Sequence, residues 1–252
     1  MLIMDLEEFD ELGQRVTGSV SADGEIVKVH VGNTAKEMSN RNIDSSFAAT
    51  YFPDTYITDP HTSTNVQCPP SVSVLGAFAL NDAVAHPWFA PAGFTRGALA
   101  TSIETHVKLS KGNMDTLYDQ DINPITSFPD SQGVVVFGQK TLLAAQNSLD
   151  RVNVRRLLIE IRRQVKAIGN TILFEPNRAE VLARFSGRVQ PILARIQAQQ
   201  GLDRFRVQID TSTTTQADVE NNTIRGKVFL QPTRSVEFIA LDFVVTNAGS
   251  GI

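Results

Sequence analysis

A single cysteine, Cys68, in 252 residues leaves no possibility of an internal disulfide. The four histidines, His30, His61, His86 and His106, are too scattered to give a metal-ligand spacing. A nucleophile elbow, a glycine-rich dinucleotide loop, an HExxH and a CxxC are all missing. No catalytic, cofactor-binding or metal-binding residue is therefore expected, and the chain does not read as an enzyme. There is no run of eighteen apolar residues, so membrane insertion is not expected. Met1 to Gln14 is acidic where a cleaved signal would be positive and then apolar. The net charge of −4 and pI near 5.6 argue against a general nucleic-acid coat, so any basic function has to be local.

What is present centres on Gly133 to Asn177. An apolar strand, Val134 to Phe137, and a turn, Gly138 to Lys140, lead into a helix over Arg151 to Ile168. Val154, Leu158, Ile161, Val165 and Ile168 recur at spacings of four and three, which puts them on one face at about 100° per residue. Six basic residues share this helix with one acid, Glu160, placed to pair with Arg156 or Arg163. Arg151, Arg155, Arg162 and Lys166 fall on one flank. Such a flank is either a solvated face or a contact for an acidic partner; a nucleic-acid-binding module using residues 151–168 is the alternative reading.

Elsewhere, Asp5 to Arg15 reads as a short acidic amphipathic helix, and Glu25 to Val31 as a strand paired with Thr17 to Ser21. Phe47 to Thr58 predicts one or two strands broken at Pro53-Asp54, and Ser71 to Ala85 a helix opened by Pro69-Pro70. Trp88 to Gly97 reads as a compact loop; Arg96 and its glycines could cradle an anion, but no phosphate-loop pattern surrounds them. Lys108 to Asp119 predicts a helix, followed by a short strand, Ile125 to Ser127, able to pair with Val134 to Phe137. Asn177 with Glu180 predicts a capping box for a second long helix that Gly187 and Pro191 should kink into two pieces. Strands are expected at Phe205 to Asp210 and Thr223 to Gln231. Asp203, Asp210, Asp218 and Glu220 sit where turns and strand ends ordinarily carry acids.

The last predicted strand, Ser235 to Thr246, is apolar on both faces. Val236, Phe238, Ala240 and Val244 lie on one side, and Ile239, Leu241, Phe243 and Val245 on the other. A terminal strand of this kind can complete a sheet in another subunit. The fold class expected is α+β: a mixed β-sheet packed by two long helices, with this strand available for inter-subunit sheet completion through Val236, Phe238, Ile239, Leu241, Phe243 and Val245.

Five stretches in order carry a resemblance: Trp88-Phe-Ala-Pro-Ala-Gly93, Gly133-Val-Val-Val-Phe-Gly-Gln-Lys-Thr-Leu142, Asn153-Val-Arg-Arg-Leu157, Phe174-Glu-Pro-Asn177 and Val236-Glu-Phe-Ile239. Together they resemble the contractile tail sheath family of myophages, related to R-type pyocin sheaths. The resemblance implies a non-enzymatic subunit that stacks as hexameric rings into a helical sleeve around a tail tube. It implies tube, baseplate and tail terminator proteins as partners, assembly in the host cytoplasm, and residence in the virion tail. It also divides the chain into residues 1–46, an N-terminal helix and small β segment, and 47–252, a core domain whose part 121–252 is most family-like. With it, Arg155, Arg162 and Lys166 become the expected tube contact. Members of the family begin with an extended arm, where Met1 to Arg15 reads as a helix; the arm is then replaced, or the chain is a truncated or divided form of a longer sheath protein.

Overall fold

A computed structural model describes residues 1–16, 28–128, 133–210 and 212–237. Its strands are β1 (Leu2–Met4), β2 (Ala48–Phe52), β3 (Thr55–Thr58), β4 (Asn65–Cys68), β5 (Ser102–Thr105), β6 (Ile122–Ser127), β7 (Val134–Val136), β8 (Leu202–Gln208) and β9 (Lys227–Pro232). Its helices are α1 (Val31–Asn40), α2 (Pro70–Val84), α3 (Gly93–Arg96), α4 (Lys111–Asp119), α5 (Val152–Asn170), α6 (Ala179–Ala198) and α7 (Gln216–Glu220). A mixed sheet runs β1-β2-β6-β7, parallel up to β6 and antiparallel at β7. A second, antiparallel sheet runs β4-β3-β5, and β8 and β9 form a separate hairpin.

Alternation along β2 sorts the core. Ala49 and Tyr51 face Val74, Ala77 and Phe78 of α2, while Ala48 and Phe52 face α1 and α4 through Val31, Ala35, Met38 and Leu117. Strand β2 is buried along its whole length because both faces of the sheet are covered. A third cluster joins Leu157 and Ile161 of α5 to Val189, Leu193 and Ile196 of α6, with Leu202 and Trp88. The two long helices expected over the mixed sheet thus cover the β8–β9 hairpin instead. Among the residues of α5, only Val152 belongs to the cluster around α2 and the sheet.

One side chain holds these layers together. Asn123 on β6 is 1% exposed and donates through Nδ2 to the carbonyls of Thr50 (2.9 Å) and Lys140 (2.8 Å), while its Oδ1 accepts from Lys140 N–H at 2.6 Å. The adjoining turn requires glycine, since a Cβ at Gly138 would lie 2.9 Å from Asn123 Oδ1 and 3.0 Å from Pro124 Cδ. From that turn the chain bonds both ways. Leu142 N–H reaches Ala48 O, and the N–H of Val152, at the start of α5, reaches Gln139 O.

Several elements differ from expectation. Residues 5–15 are not helical: Leu2–Met4 pairs in parallel with Ala48–Thr50, and Asp10 Oδ1 then accepts from the N–H groups of Leu12 and Gln14 in a turn closed by Gly13 at φ +75°. Such local side-chain bonding competes with a helix. Val31, expected in a strand, opens α1, with His30 Nδ1 capping Asn33 N–H, and residues 28–30 of the same expected strand belong to no strand; residues 17–27 of that predicted hairpin lie outside the described residues. The cap of α6 is Arg178 rather than Asn177, whose side chain is bonded to Thr223 O. Helix α6 runs unbroken from Ala179 to Ala198 with Pro191 inside it, so the break into two pieces expected at Gly187 and Pro191 does not occur. It ends on Gln200 at φ 61°, while Gly201 passes so close to Ile196 and Trp88 that a Cβ would clash with both.

Asn123→Ala leaves the Lys140 N–H and two carbonyls without their partner, and is expected to cost about 2–4 kcal/mol, read as a lower denaturation midpoint in urea.

Candidate assembly interface

The hairpin β8–β9 is the unfinished part of the fold. One face, Phe205, Val207, Val228 and Leu230, packs on α5 and α6, and the other carries Arg204, Arg206 and the half-exposed Phe229. Among the described residues neither strand has a further neighbour, so both outer edges present main-chain N–H and C=O groups. Two-stranded sheets are marginal alone, and open edges are ready templates for another strand.

Beyond β9 the chain is pinned at alternate residues. Thr233 N–H donates to Gly201 O and its hydroxyl to Asp203, Ser235 accepts from Asn153 Nδ2 at 3.1 Å, and Glu237 is held on three sides. Glu237 Oε1 accepts from Arg151 Nε (2.7 Å) and Gln139 Nε2 (3.0 Å), and Oε2 from the Tyr118 hydroxyl (3.1 Å). Burial and the Glu237 charge push the Tyr118 hydroxyl up to about 12. These residues border a groove of about 830 Å³ lined by Trp88, Phe89, Phe128, Phe137 and Val236 among others. Val236 is 81% exposed. Phe238, Ile239, Leu241, Phe243 and Val245, the other residues expected to exchange, lie outside the described residues.

The basic flank of α5 comes apart in the fold. Arg155 is 8% exposed, bonded to the carbonyl and hydroxyl of Ser46 and stacked 4.0 Å over Phe47, so it is not on the charged face expected for it. Burial, and then the charge of Arg162, lowers its guanidinium pKa. Arg156 pairs with Asp82, Arg151 with Glu237, and Arg163 with Glu160. Arg162 and Lys166 stay exposed. With four of its six basic residues bonded within the subunit, the helix gives no support to a nucleic-acid interface. What periodicity could not show is that Ser46 and Phe47, just before β2, press against this flank.

Charge is nonetheless segregated. Residues 151–234 carry fifteen Lys and Arg against seven Asp and Glu, whereas residues 1–150 carry eight against eighteen. The four acids singled out in the sequence do not form a site. Asp218 closes a capping box with Thr215 and pairs with Arg225, and Asp210 bonds Ser212, both held below the usual carboxylate range by those bonds. Asp203 accepts from Thr233. Among the described residues no group of His, Cys, Asp and Glu is arranged to hold a metal, and Arg96 is bonded to Ala90 O rather than left for an anion.

Against solved structures, the chain superimposes on the sheath complex of an extracellular contractile injection system, PVC, in the contracted state: TM-score 0.76, 28% identity, 88% of this chain and 62% of that one. The contracted helical sheath of the anti-feeding prophage matches with TM-score 0.70 at 25% identity, over 85% of this chain and 65% of that one. Residues 144–246 match the family profile of the phage tail sheath C-terminal domain. The chain is a relative of the contractile phage tail sheath proteins. The tail sheath protein of Enterobacteria phage T4 is 31% identical over 212 residues, which are 84% of this chain and 32% of that protein. The chain therefore spans about a third of the length of the curated sheath proteins it matches. The α+β class holds, and the resemblance carried by the five motifs agrees with these similarities to sheath proteins.

A further cluster ties the N-terminal segment to the second sheet. Glu8 lies 3.5 Å from His106 Nε2, whose Nδ1 is 2.8 Å from the Tyr56 hydroxyl. Burial, and then the charge of Asp54, pushes the Glu8 carboxyl up from 4.5 to about 7. Its folded value exceeds its unfolded one, so ionisation opposes folding, and stability should fall as pH rises from about 4.5 to about 7. Melting temperatures across that window should show the fall, and Glu8→Gln, neutral throughout, should flatten it.

Proposed function

We propose that the chain is a non-enzymatic structural subunit of a contractile phage tail sheath, in which stacked hexameric rings form a sleeve around a tail tube. One observation carries the reading: a hairpin whose two edges are open among the described residues, and an apolar segment long enough to be a strand, occur on the same chain. The segment 238–245 of one copy adds to the β8–β9 hairpin of another. About five main-chain hydrogen bonds at about 0.5–1.5 kcal/mol each, with apolar burial, hold such a contact. Links of this kind survive while subunits rotate as rigid bodies, so a sleeve can shorten and widen without coming apart. Contraction is driven by better packing between subunits, without nucleotide hydrolysis, and drives the tube through the host envelope.

The subunit assembles in the host cytoplasm and resides in the virion tail, with baseplate and terminator proteins at the ends of the sleeve. Arg162 and Lys166 contact the tube. Exposed charge pairs contribute roughly 0–1 kcal/mol each, so the hold is weak per subunit, summed over many copies, and still releasable.

Removing residues 238–252 should abolish polymers seen by electron microscopy while circular dichroism still reports a folded monomer; tubes of normal length from the truncated chain would sink strand exchange. Reversing charge at Arg162 and Lys166 together should weaken co-sedimentation with tail tubes, most clearly at low salt.

A further inference from the structure

An arm that follows β9 directly faces a competing partner: its own hairpin. Between Pro232 and the first residues of the apolar segment lie only a few residues, a length typical of hairpin connections. A reversal there would lay the segment antiparallel on the free edge of β9. That closed monomer would use up both the donor and an acceptor edge, and it would form at an effective concentration that no second copy can match.

The described chain does not make this reversal. From Thr233 it runs across the start of α5 toward α4, tied first to Gly201 and Asp203, then to Asn153, then to Arg151, Gln139 and Tyr118. The last tie is the strongest, because Glu237 meets a charged donor at 2.7 Å with two neutral donors beside it, and its side chain is only 21% exposed. Arg151 is itself braced by Asp150 at 3.2 Å and by the Tyr118 hydroxyl at 3.3 Å. Three side chains from three separate stretches of the chain thus converge on the residue that immediately precedes the apolar segment. An acid in this position contributes nothing to an apolar strand face, and its bonds account for its presence.

We infer that Glu237 is a positioning residue: clamped by Arg151, Gln139 and Tyr118, it holds the root of the C-terminal arm away from its own hairpin, so that the arm pairs only with another copy of the chain. The inference rests on the strand-exchange reading and adds the device that makes exchange intermolecular. Loss of the clamp frees the chain from Val236 onward to turn back, and the hairpin edge closes on its own arm.

Hydrogen exchange separates this role from a merely structural one. In the wild-type monomer, kept dilute, the outward amides of β8 and β9 should exchange freely and gain protection only as concentration drives polymerisation. In Glu237→Ala the same amides should be protected in the dilute monomer, independently of concentration, with polymer yield reduced about tenfold. Glu237→Asp, which keeps the charge, should recover part of the yield. Monomer exchange in Glu237→Ala identical to wild type, or an undiminished polymer yield, overturns the assignment. The chain ending at Glu237 distinguishes the two levels: if it polymerises, strand exchange itself fails, whatever the point variant does.

Discussion

The fold depends on a buried amide that does the work of a missing strand. Past Val136 a single further main-chain bond, Phe137 N–H to Pro124 O, joins the chain to β6, yet the main chain at Lys140 must be satisfied at both N–H and C=O. Asn123 satisfies both, and binds Thr50 of the adjacent strand with the same Nδ2. A side chain with one acceptor and two donors in fixed geometry suits this position, where an apolar residue of similar size would leave three polar groups orphaned. Gly138 is the other half of the constraint, since the turn approaches Asn123 too closely for any Cβ.

From that joint the structure divides into two layers with different tasks. The layer built on β1-β2-β6-β7 is closed by helices on both faces, and Tyr51, Phe52, Ile122 and Ile125 are essentially inaccessible. The layer of α5, α6 and the hairpin is closed on one face only. Trp88 stitches them: its indole N–H donates to Gln199 O at the end of α6 and its ring lies against Gly201, while its own carbonyl accepts from Asn153. The first layer is thus closed on both faces, and the second, joined to it through Trp88, presents an edge.

Elements with strong periodicity were legible in the sequence. The stripes of α5 and α6, the helix α2 after two prolines, and the pairing of β6 with β7 all follow from residue spacing, and the order of five motifs pointed to the sheath proteins that the chain is similar to. What was not legible depended on contacts remote in the chain. Leu2, Ile3 and Met4 look like part of an amphipathic helix until Ala48 to Thr50 offers a parallel partner. Arg155 looks like surface charge until Ser46 and Phe47 cover it. Glu237 looks like one polar position in an apolar strand, and its meaning depends on Arg151, which is 86 residues away. In each case the local pattern was compatible with two environments, and tertiary contacts chose between them.

The segregation of charge along the chain has a consequence for how copies meet. An acidic layer joined to a basic one is an electric dipole fixed in the frame of the subunit. Two such bodies experience a torque before they touch, turning the basic layer of one toward the acidic layer of the other. At physiological ionic strength the Debye length is about 8 Å, so this alignment acts only over the last few ångströms of approach. It contributes little to the strength of the finished contact and much to which of many collisions arrive in register.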